Sequence, residues 1–518
     1  MIGGLFHFMQ LMRAGFILVR EGALSLVDPS PLPPTARGLL RVARLFERRR
    51  SRNGASGLAA AMTRLGPSYV KFGQFLATRP DVVGVAAAKN LESLQDQMPP
   101  FPRATAVRIV EETLGQPIDS LFVSFSEPVA AASIAQVHKA VIRNSDGEEE
   151  TVAVKVIRPK VRDRFVRDLQ GMRFAARLAE RLLPDTRRLR PMEVVETLAR
   201  SVTMEMDLRL EAAAISELTE NTKDDPDFRI PVLYWTCTGR DVLTTEWVDA
   251  IRLNDFADMD EAGIDRPALA RTVLQSFLRH AIRDGFFHAD MHPGNLFVDR
   301  QSRLVAVDFG IMGRLGFQER KFLAEILLGF INRDYKRVAE VHFAAGYVPA
   351  SHSIEDFAQA IRAVGEPIHD RRASEISMAH LLTLLFEITA LFDMQTRPEL
   401  IMLQKTMVVV EGVARAIDPE LDIWRTSDAV IRGWIERYLG PVGQIEEAGR
   451  NLRDLVTMVG ELPELSRRAG NVLTGFEKAV REGALSTTGN DKPVTGYKWA
   501  ATALWVIAAT LIVLAVRS

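Results

Sequence analysis

Residues 288–310 read HADMHPGNLFVDRQSRLVAVDFG. Asp290 and Asn295 stand five apart with Pro293-Gly294 between them, a spacing that suits a loop and not a helix. The apolar runs Leu296–Val298 and Leu304–Val307 read as a short hairpin, and Asp308 follows the second run directly, ahead of Phe309-Gly310. Phosphoryl transfer needs such a set: one carboxylate to take a hydroxyl proton, and an amide oxygen with a second carboxylate to hold Mg2+ across phosphates. A rival reading pairs His288 and His292 as H-x3-H metal ligands. That pairing needs a helix, which Pro293-Gly294 argues against, so structural histidines are the better reading.

Working upstream, Thr151–Ile157 (TVAVKVI) alternates like a strand and carries Lys155. Glu205, Asp207 and Glu211 lie in MEMDLRLEAAA, part of a helical pattern running from Val161 to Thr222. Asp207 and Glu211 are i, i+4 there, so they share a face and call for a cation opposite. Taken singly, each of these side chains is most simply a solvated surface residue. Their order carries the meaning: strand lysine, helix glutamate, Asp-x4-Asn, then Asp-Phe-Gly eighteen residues after Asp290. That order agrees with the working parts of protein kinases. Two parts are altered. The catalytic loop has Ala289 between His288 and Asp290, and no G-x-G-x-x-G precedes Lys155. In its place stands VAAASIAQV (Val129, Ala130, Ala131, Ala132, Ser133, Ile134, Ala135, Gln136, Val137), with Cβ atoms where glycine would permit close backbone approach.

The remaining pattern is helical over 35–115, interrupted at Pro99-Pro100-Phe101-Pro102. It turns β-rich at Leu121–Phe125, Ala135–Ile142 and Thr151–Ile157, and returns to strand and turn over 231–248. From Arg266 it is helical again, apart from the short hairpin. This predicts an α+β, kinase-like two-lobed fold with a helical N-terminal extension and a C-terminal transmembrane helix. The expected divisions are an extension (1–115), an N-lobe (116–250), a helical C-lobe (251–480), a linker (481–498) and an anchor (499–516).

Lys71-Phe72-Gly73-Gln74, the AAAS of Ala130–Ser133, and Glu205-Met206-Asp207 complete a further pattern. With these the chain resembles the UbiB (AarF-type) family of atypical kinases, linked to ubiquinone biosynthesis, from roughly Arg37 to Trp424. The resemblance implies ATP and Mg2+ as cofactors. Lys155 would contact phosphates and pair with Glu211; Asn295 and Asp308 would hold Mg2+; Asp290 would be the catalytic base. Val129–Val137 would cover the nucleotide, and the backbone of Glu246 and Val248 would face adenine as a hinge. Lys71, Gly73 and Gln74 would lie across the site facing Glu205 and Asp207, where they would occlude a protein substrate. Implied partners are membrane lipid, prenyl-phenol quinone intermediates and other quinone-biosynthesis proteins.

Composition sets outer limits. Over 518 residues, 65 Lys+Arg against 66 Asp+Glu leave a net charge of -1, which provides no global attraction to nucleic acid. The single cysteine, Cys237, excludes an internal disulfide and a multi-cysteine metal site. Trp499–Val516 is uncharged and long enough, at about 27 Å, to match a ~30 Å hydrocarbon core. Lys478, Arg481, Lys492 and Lys498 precede it and Arg517 alone follows, so the bulk of the chain is expected on the cytoplasmic side; the resemblance implies that the membrane is a bacterial inner membrane. The N-terminal apolar segment, broken by His7, Gln10, Arg13, Arg20 and Glu21, is expected to be an amphipathic helix packed on the domain. Its alternative is a helix lying on a membrane surface. Two rival functions remain: a small-molecule phosphotransferase of the aminoglycoside-kinase type, and a nucleotide-gated scaffold for quinone-biosynthesis enzymes.

Overall fold

The interrupted apolar N-terminus forms the helix Ile2–Arg20 (α1), which buries Ala14 and Ile17 against Ala61 and Leu65 of the helix Gly57–Leu65 (α2). The structure is a computed structural model describing residues 2–23, 57–77, 98–144, 146–182, 190–369 and 398–438, with scattered positions between these stretches. Pro67–Ala77 (α3) follows α2 after Gly66, whose φ of +108° turns the chain between the two helices.

Pro102 ends the extended Pro99–Pro102 stretch and caps the helix Arg103–Leu114 (α4). Ser124–Ala131 (β1), Ala135–Arg143 (β2) and Glu149–Ile157 (β3) make an antiparallel meander. Alternation decides its two faces. Val152, Val154 and Val156 of β3 are fully buried against Ala106 and Val110 of α4. Each such burial contributes roughly 1.5–3 kcal/mol. Lys155, between them in sequence, faces the other way, opposite its cross-strand partner Val137.

The helical stretch 161–222 is three helices where the sequence pattern suggests one: Val161–Leu182 (α5), Pro191–Glu205 (α6) and Leu208–Asn221 (α7). Pro191 sits in the first turn of α6, where its missing N–H costs nothing. Asp207 breaks α6 from α7 by serving as the N-cap of α7. It therefore does not share a helix face with Glu211.

Phe228–Arg229 (β4) starts a second sheet, and Val242–Glu246 (β5) closes the first, beside β3. Ile251–Arg252 (β6) belongs to the second sheet. Arg266–Leu278 (α8) runs into a π-turn at Arg279–Asp284, and Phe286–His288 (β7) follows. Leu296–Val298 (β8) and Leu304–Ala306 (β9) form the expected hairpin, in the sheet order β4-β9-β8-β6. Met312–Arg314 (β10) returns to pair with β7. The helices Phe317–Ile331 (α9), Tyr335–Ala344 (α10), Ile354–His369 (α11), Pro398–Ile417 (α12) and Ile423–Tyr438 (α13) make up the rest. α12 packs along α8.

One cluster ties α7 to the strand that carries the catalytic loop. Asp225, buried just past α7, accepts two bonds from Arg283 of the π-turn (2.6 and 2.9 Å), and Arg283 also donates to Asn221 O at 3.2 Å. His280 Nε2 lies 3.5 Å from the same carboxylate. Burial works against the Asp225 carboxylate, but the nearby His280 and the hydrogen-bonded Arg283 outweigh it and hold its pKa below the ordinary range.

The uncharged run Trp499–Val516 and the segment 481–498 lie outside the described residues. Among the described residues, no helix is long and apolar enough to cross a membrane.

Candidate active site

β3, α7 and the end of β9 bring three charged groups together. Lys155 Nζ is 2.9 Å from both carboxylate oxygens of Glu211 and 2.9 Å from Asp308 Oδ1. Glu211 is buried, whereas half of the Asp308 side chain stays open to solvent. Burial alone would push the Lys155 pKa down; Asp308 and Glu211 more than reverse it and hold the ammonium charged. Burial pushes Glu211 up, opposed by Lys155. Lys155 holds Asp308 down, with a further contribution from Lys71. Asp308 takes a left-handed backbone (φ +60°), which aspartate tolerates better than most L-residues.

The catalytic-loop residues are positioned by one another. Asn295 Nδ2 donates to Asp290 O at 3.1 Å and to Asp290 Oδ2 at 3.3 Å. The Asp290 N–H donates to His288 Nδ1 at 3.1 Å, so the ring proton sits on Nε2, which faces Val307 O at 3.2 Å. Burial keeps this imidazole neutral by lowering its pKa. With both ring nitrogens of His288 engaged, and His292 Nδ1 accepting from the Gly294 N–H at 3.0 Å, an H-x3-H metal pair has no vacant donors to offer on these atoms.

Around this centre the remaining expected residues take distinct places. Lys71 of α3 forms an ion pair with Glu205 at 2.7 Å, and both side chains are only about a tenth exposed (13% and 11%), so the pair is largely desolvated. Gly73 packs tightly: a Cβ there would lie 2.4 Å from Leu94 Cδ1, so the leucine tip would have to move. Gln74 is half-buried on the same helix. Asp207 pairs with Arg209 (2.7 Å) while capping α7, so it does not join the Lys71 pair. Glu246 ends β5. Its N–H donates to Val232 O at 2.8 Å and its carboxylate pairs with Arg229; Val248 is half-buried two residues on.

The alanine-rich hairpin has its tightest turn where the Ala132 N–H donates to Ala135 O at 2.8 Å. Val129 and Ala130 are exposed, while Ser133, Ile134, Ala135 and Gln136 are buried, and Ala131, Ala132 and Val137 are half-buried. Several supporting residues escape sequence reasoning. Arg158 donates to Ala132 O at 2.7 Å, and Thr406 of α12 donates to Ala289 O at 2.9 Å, beside Asp290. A lone threonine in an apolar helix carries no signal of a partner 117 positions away.

Comparison with known proteins agrees with this geometry. A model of the ABC1 atypical kinase-like domain matches residues 93–342, and a UbiB helical domain model matches residues 361–422. A protein of Marinobacter nauticus described as "Probable protein kinase UbiB" is 39% identical over 413 residues, covering 79% of this chain and 75% of the relative. Among solved structures, the Rv3197–erythromycin complex from Mycobacterium tuberculosis is 23% identical at a TM-score of 0.48, over 64% of this chain and 84% of that one. On the two family models and the 39% identical relative, the chain belongs to the UbiB family of ABC1-type atypical kinase-like proteins.

Proposed function

We propose that the protein is a membrane-anchored atypical kinase or ATPase that binds Mg-ATP and supports ubiquinone biosynthesis. One observation carries the nucleotide reading: Lys155 is held between Glu211 and Asp308 at hydrogen-bonding distance. An ammonium fixed in that way is pre-positioned to meet phosphates.

The donor set suits Mg2+. Among the described residues no three His, Cys, Asp or Glu side chains cluster to make a self-sufficient metal site. Mg2+ asks for less, since it is usually held by one or two carboxylates together with substrate phosphates. Asp308 keeps half its side chain exposed, and Asn295 uses its Nδ2 on Asp290, which leaves the amide oxygen as the end for a cation. Lys155, Glu211 and Asp308 together carry excess negative charge, so a bound divalent ion would offset repulsion of a polyphosphate.

In this reading Lys155 grips phosphates and Glu211 orients Lys155. Asp290 accepts the proton of the attacking hydroxyl or water. With the Glu246 N–H engaged by Val232, its carbonyl and the Val248 amide are the groups left to address adenine. The desolvated Lys71–Glu205 pair ties the N-terminal helices to the end of α6, which favours a small acceptor over a folded protein. A prenyl-phenol intermediate at the inner membrane, reached through the anchor at 499–516, meets that condition.

Titration calorimetry of the full chain with Mg-ATP tests this. Binding is expected, and Asp308→Asn should weaken it by on the order of a hundredfold, since a charged contact is worth about 1.5–3 kcal/mol. Equal affinity in the variant would remove Asp308 from the metal site. Turnover should rise with anionic vesicles carrying a phenolic prenyl lipid; indifference to them would separate the ATPase from the quinone role.

A further inference from the structure

The hairpin that takes the place of a glycine-rich loop is secured from its outer face. Strand alternation puts Val137 with Lys155 on the cleft side. Gln136 and His138 point the opposite way, toward the α4 core, and are essentially unexposed (1% and 0%). There the Gln136 side chain bonds to both backbone groups of one residue: Oε1 accepts from the Phe101 N–H at 2.9 Å, and Nε2 donates to Phe101 O at 3.2 Å. Nε2 also donates to His138 Nε2 at 2.8 Å, which places the imidazole proton on Nδ1, facing Ser126 O at 2.9 Å. Every polar atom in this chain of contacts thus has a consistent role.

The strap formed by Met98–Phe101 also touches the hairpin itself. The Met98 N–H donates to Ala131 O at 3.1 Å. Arg158 spans both parts, donating to Ala132 O at 2.7 Å and Met98 O at 3.5 Å while its guanidinium lies 5.7 Å from the Phe101 ring centroid. The Arg158 N–H takes Ile134 O at 2.8 Å. Carbonyls of Ala131, Ala132 and Ile134 are therefore all occupied, and their peptide planes cannot rotate freely. Pro99, Pro100 and Pro102 restrict the strap's own backbone, so holding it costs little further entropy.

We propose that Gln136 is a positioning residue: by latching the Met98–Phe101 strap it fixes the alanine-rich hairpin over the cleft and so slows nucleotide release. The inference rests on the nucleotide-binding reading above. A glycine-rich flap would present whichever amides the phosphates demand; this hairpin presents one preset arrangement. The N-terminal extension, through the strap, then controls how long nucleotide stays.

Two readouts on the full-length protein test the latch. Gln136→Met keeps the volume and removes all three side-chain bonds; Gln136→Asn keeps a neutral amide on an arm one methylene shorter, a milder lesion should the first variant fold poorly. Val110→Ala, in the same core but away from the hairpin, matches the loss of thermal stability. Amide hydrogen exchange over 130–137 without nucleotide should rise about tenfold in Gln136→Met, the effect of freeing roughly 1.4 kcal/mol. Release of a fluorescent adenine nucleotide should accelerate by a similar factor, with a smaller rise of both in Gln136→Asn. Hairpin exchange and release in the Gln136 variants no faster than in Val110→Ala would overturn the latch. A wild-type chain that binds no nucleotide but shows latch-dependent exchange would sink the nucleotide role alone, and with it the control of release.

Discussion

At Asp290, the surrounding contacts fix orientation, and the base role proposed for its carboxylate can be tested separately from loop structure. Its N–H is tied to His288, and Asn295 reaches back to its Oδ2. Asparagine at this position can still accept from Asn295, so Asp290→Asn should leave the loop and Mg-ATP affinity intact. It cannot take a proton, and turnover should fall on the order of a hundredfold or more. Steady-state turnover beside calorimetry checks this, and turnover at the wild-type rate would remove Asp290 from the role of base. The placement of Asp290, Asn295 and Asp308 on one loop and hairpin is legible in the sequence, because residue type and local spacing mark it. Gln136 is legible only by half. Its alternation against Lys155 can be read from the strand, but its partner Phe101 lies 35 positions upstream in a segment that looks like a plain proline-rich connector.

Helix boundaries are harder to read than active-site side chains. Apolar periodicity runs on from α6 into α7, and an aspartate within it looks like one more surface residue. Asp207 instead accepts from the Arg209 N–H at 3.2 Å and starts a new helix, which lets Glu211 turn toward Lys155. The strands were easier, because alternation in TVAVKVI already distinguishes the core face from the cleft face. α12 shows an element acting on the site from behind. Thr406 is buried, and its single hydroxyl proton is shared between Met402 O in its own helix (2.8 Å) and Ala289 O (2.9 Å). Thr406→Val keeps the shape and strips a donor from a buried carbonyl, at a cost of about 1–3 kcal/mol. The expected result is a lower kcat with an unchanged nucleotide Kd, restored by Thr406→Ser. A valine variant with wild-type kcat would confine Thr406 to packing.

For the molecule as a whole, buried neutral histidines set a limit on the acid side. Burial lowers the pKa of His138, His280 and His288, even with Glu127 near the first, Asp225 and Asp284 near the second, and Asp290 and Asp308 near the third. Unfolded, each would titrate near 6.5. Below that pH the unfolded chain takes up protons that the folded chain refuses, so stability is full above about pH 6.5 and declines as pH falls. Each such group contributes a slope of at most about 1.4 kcal/mol per pH unit. Urea midpoints at neutral pH and at about one unit below the histidine range should differ accordingly; a flat profile would mean that these rings accept protons in place.

The Asp225–Arg283 clamp has a consequence for how the protein comes apart. It joins the exit of α7 to the turn that leads into β7, within a network in which Arg279 also faces Asp225 (3.7 Å) and Arg283 also pairs with Asp284 (2.7 Å). Heating that frees the end of α7 must then part this whole network from the π-turn, so α7 and β7 should lose their amide protection together in one cooperative step.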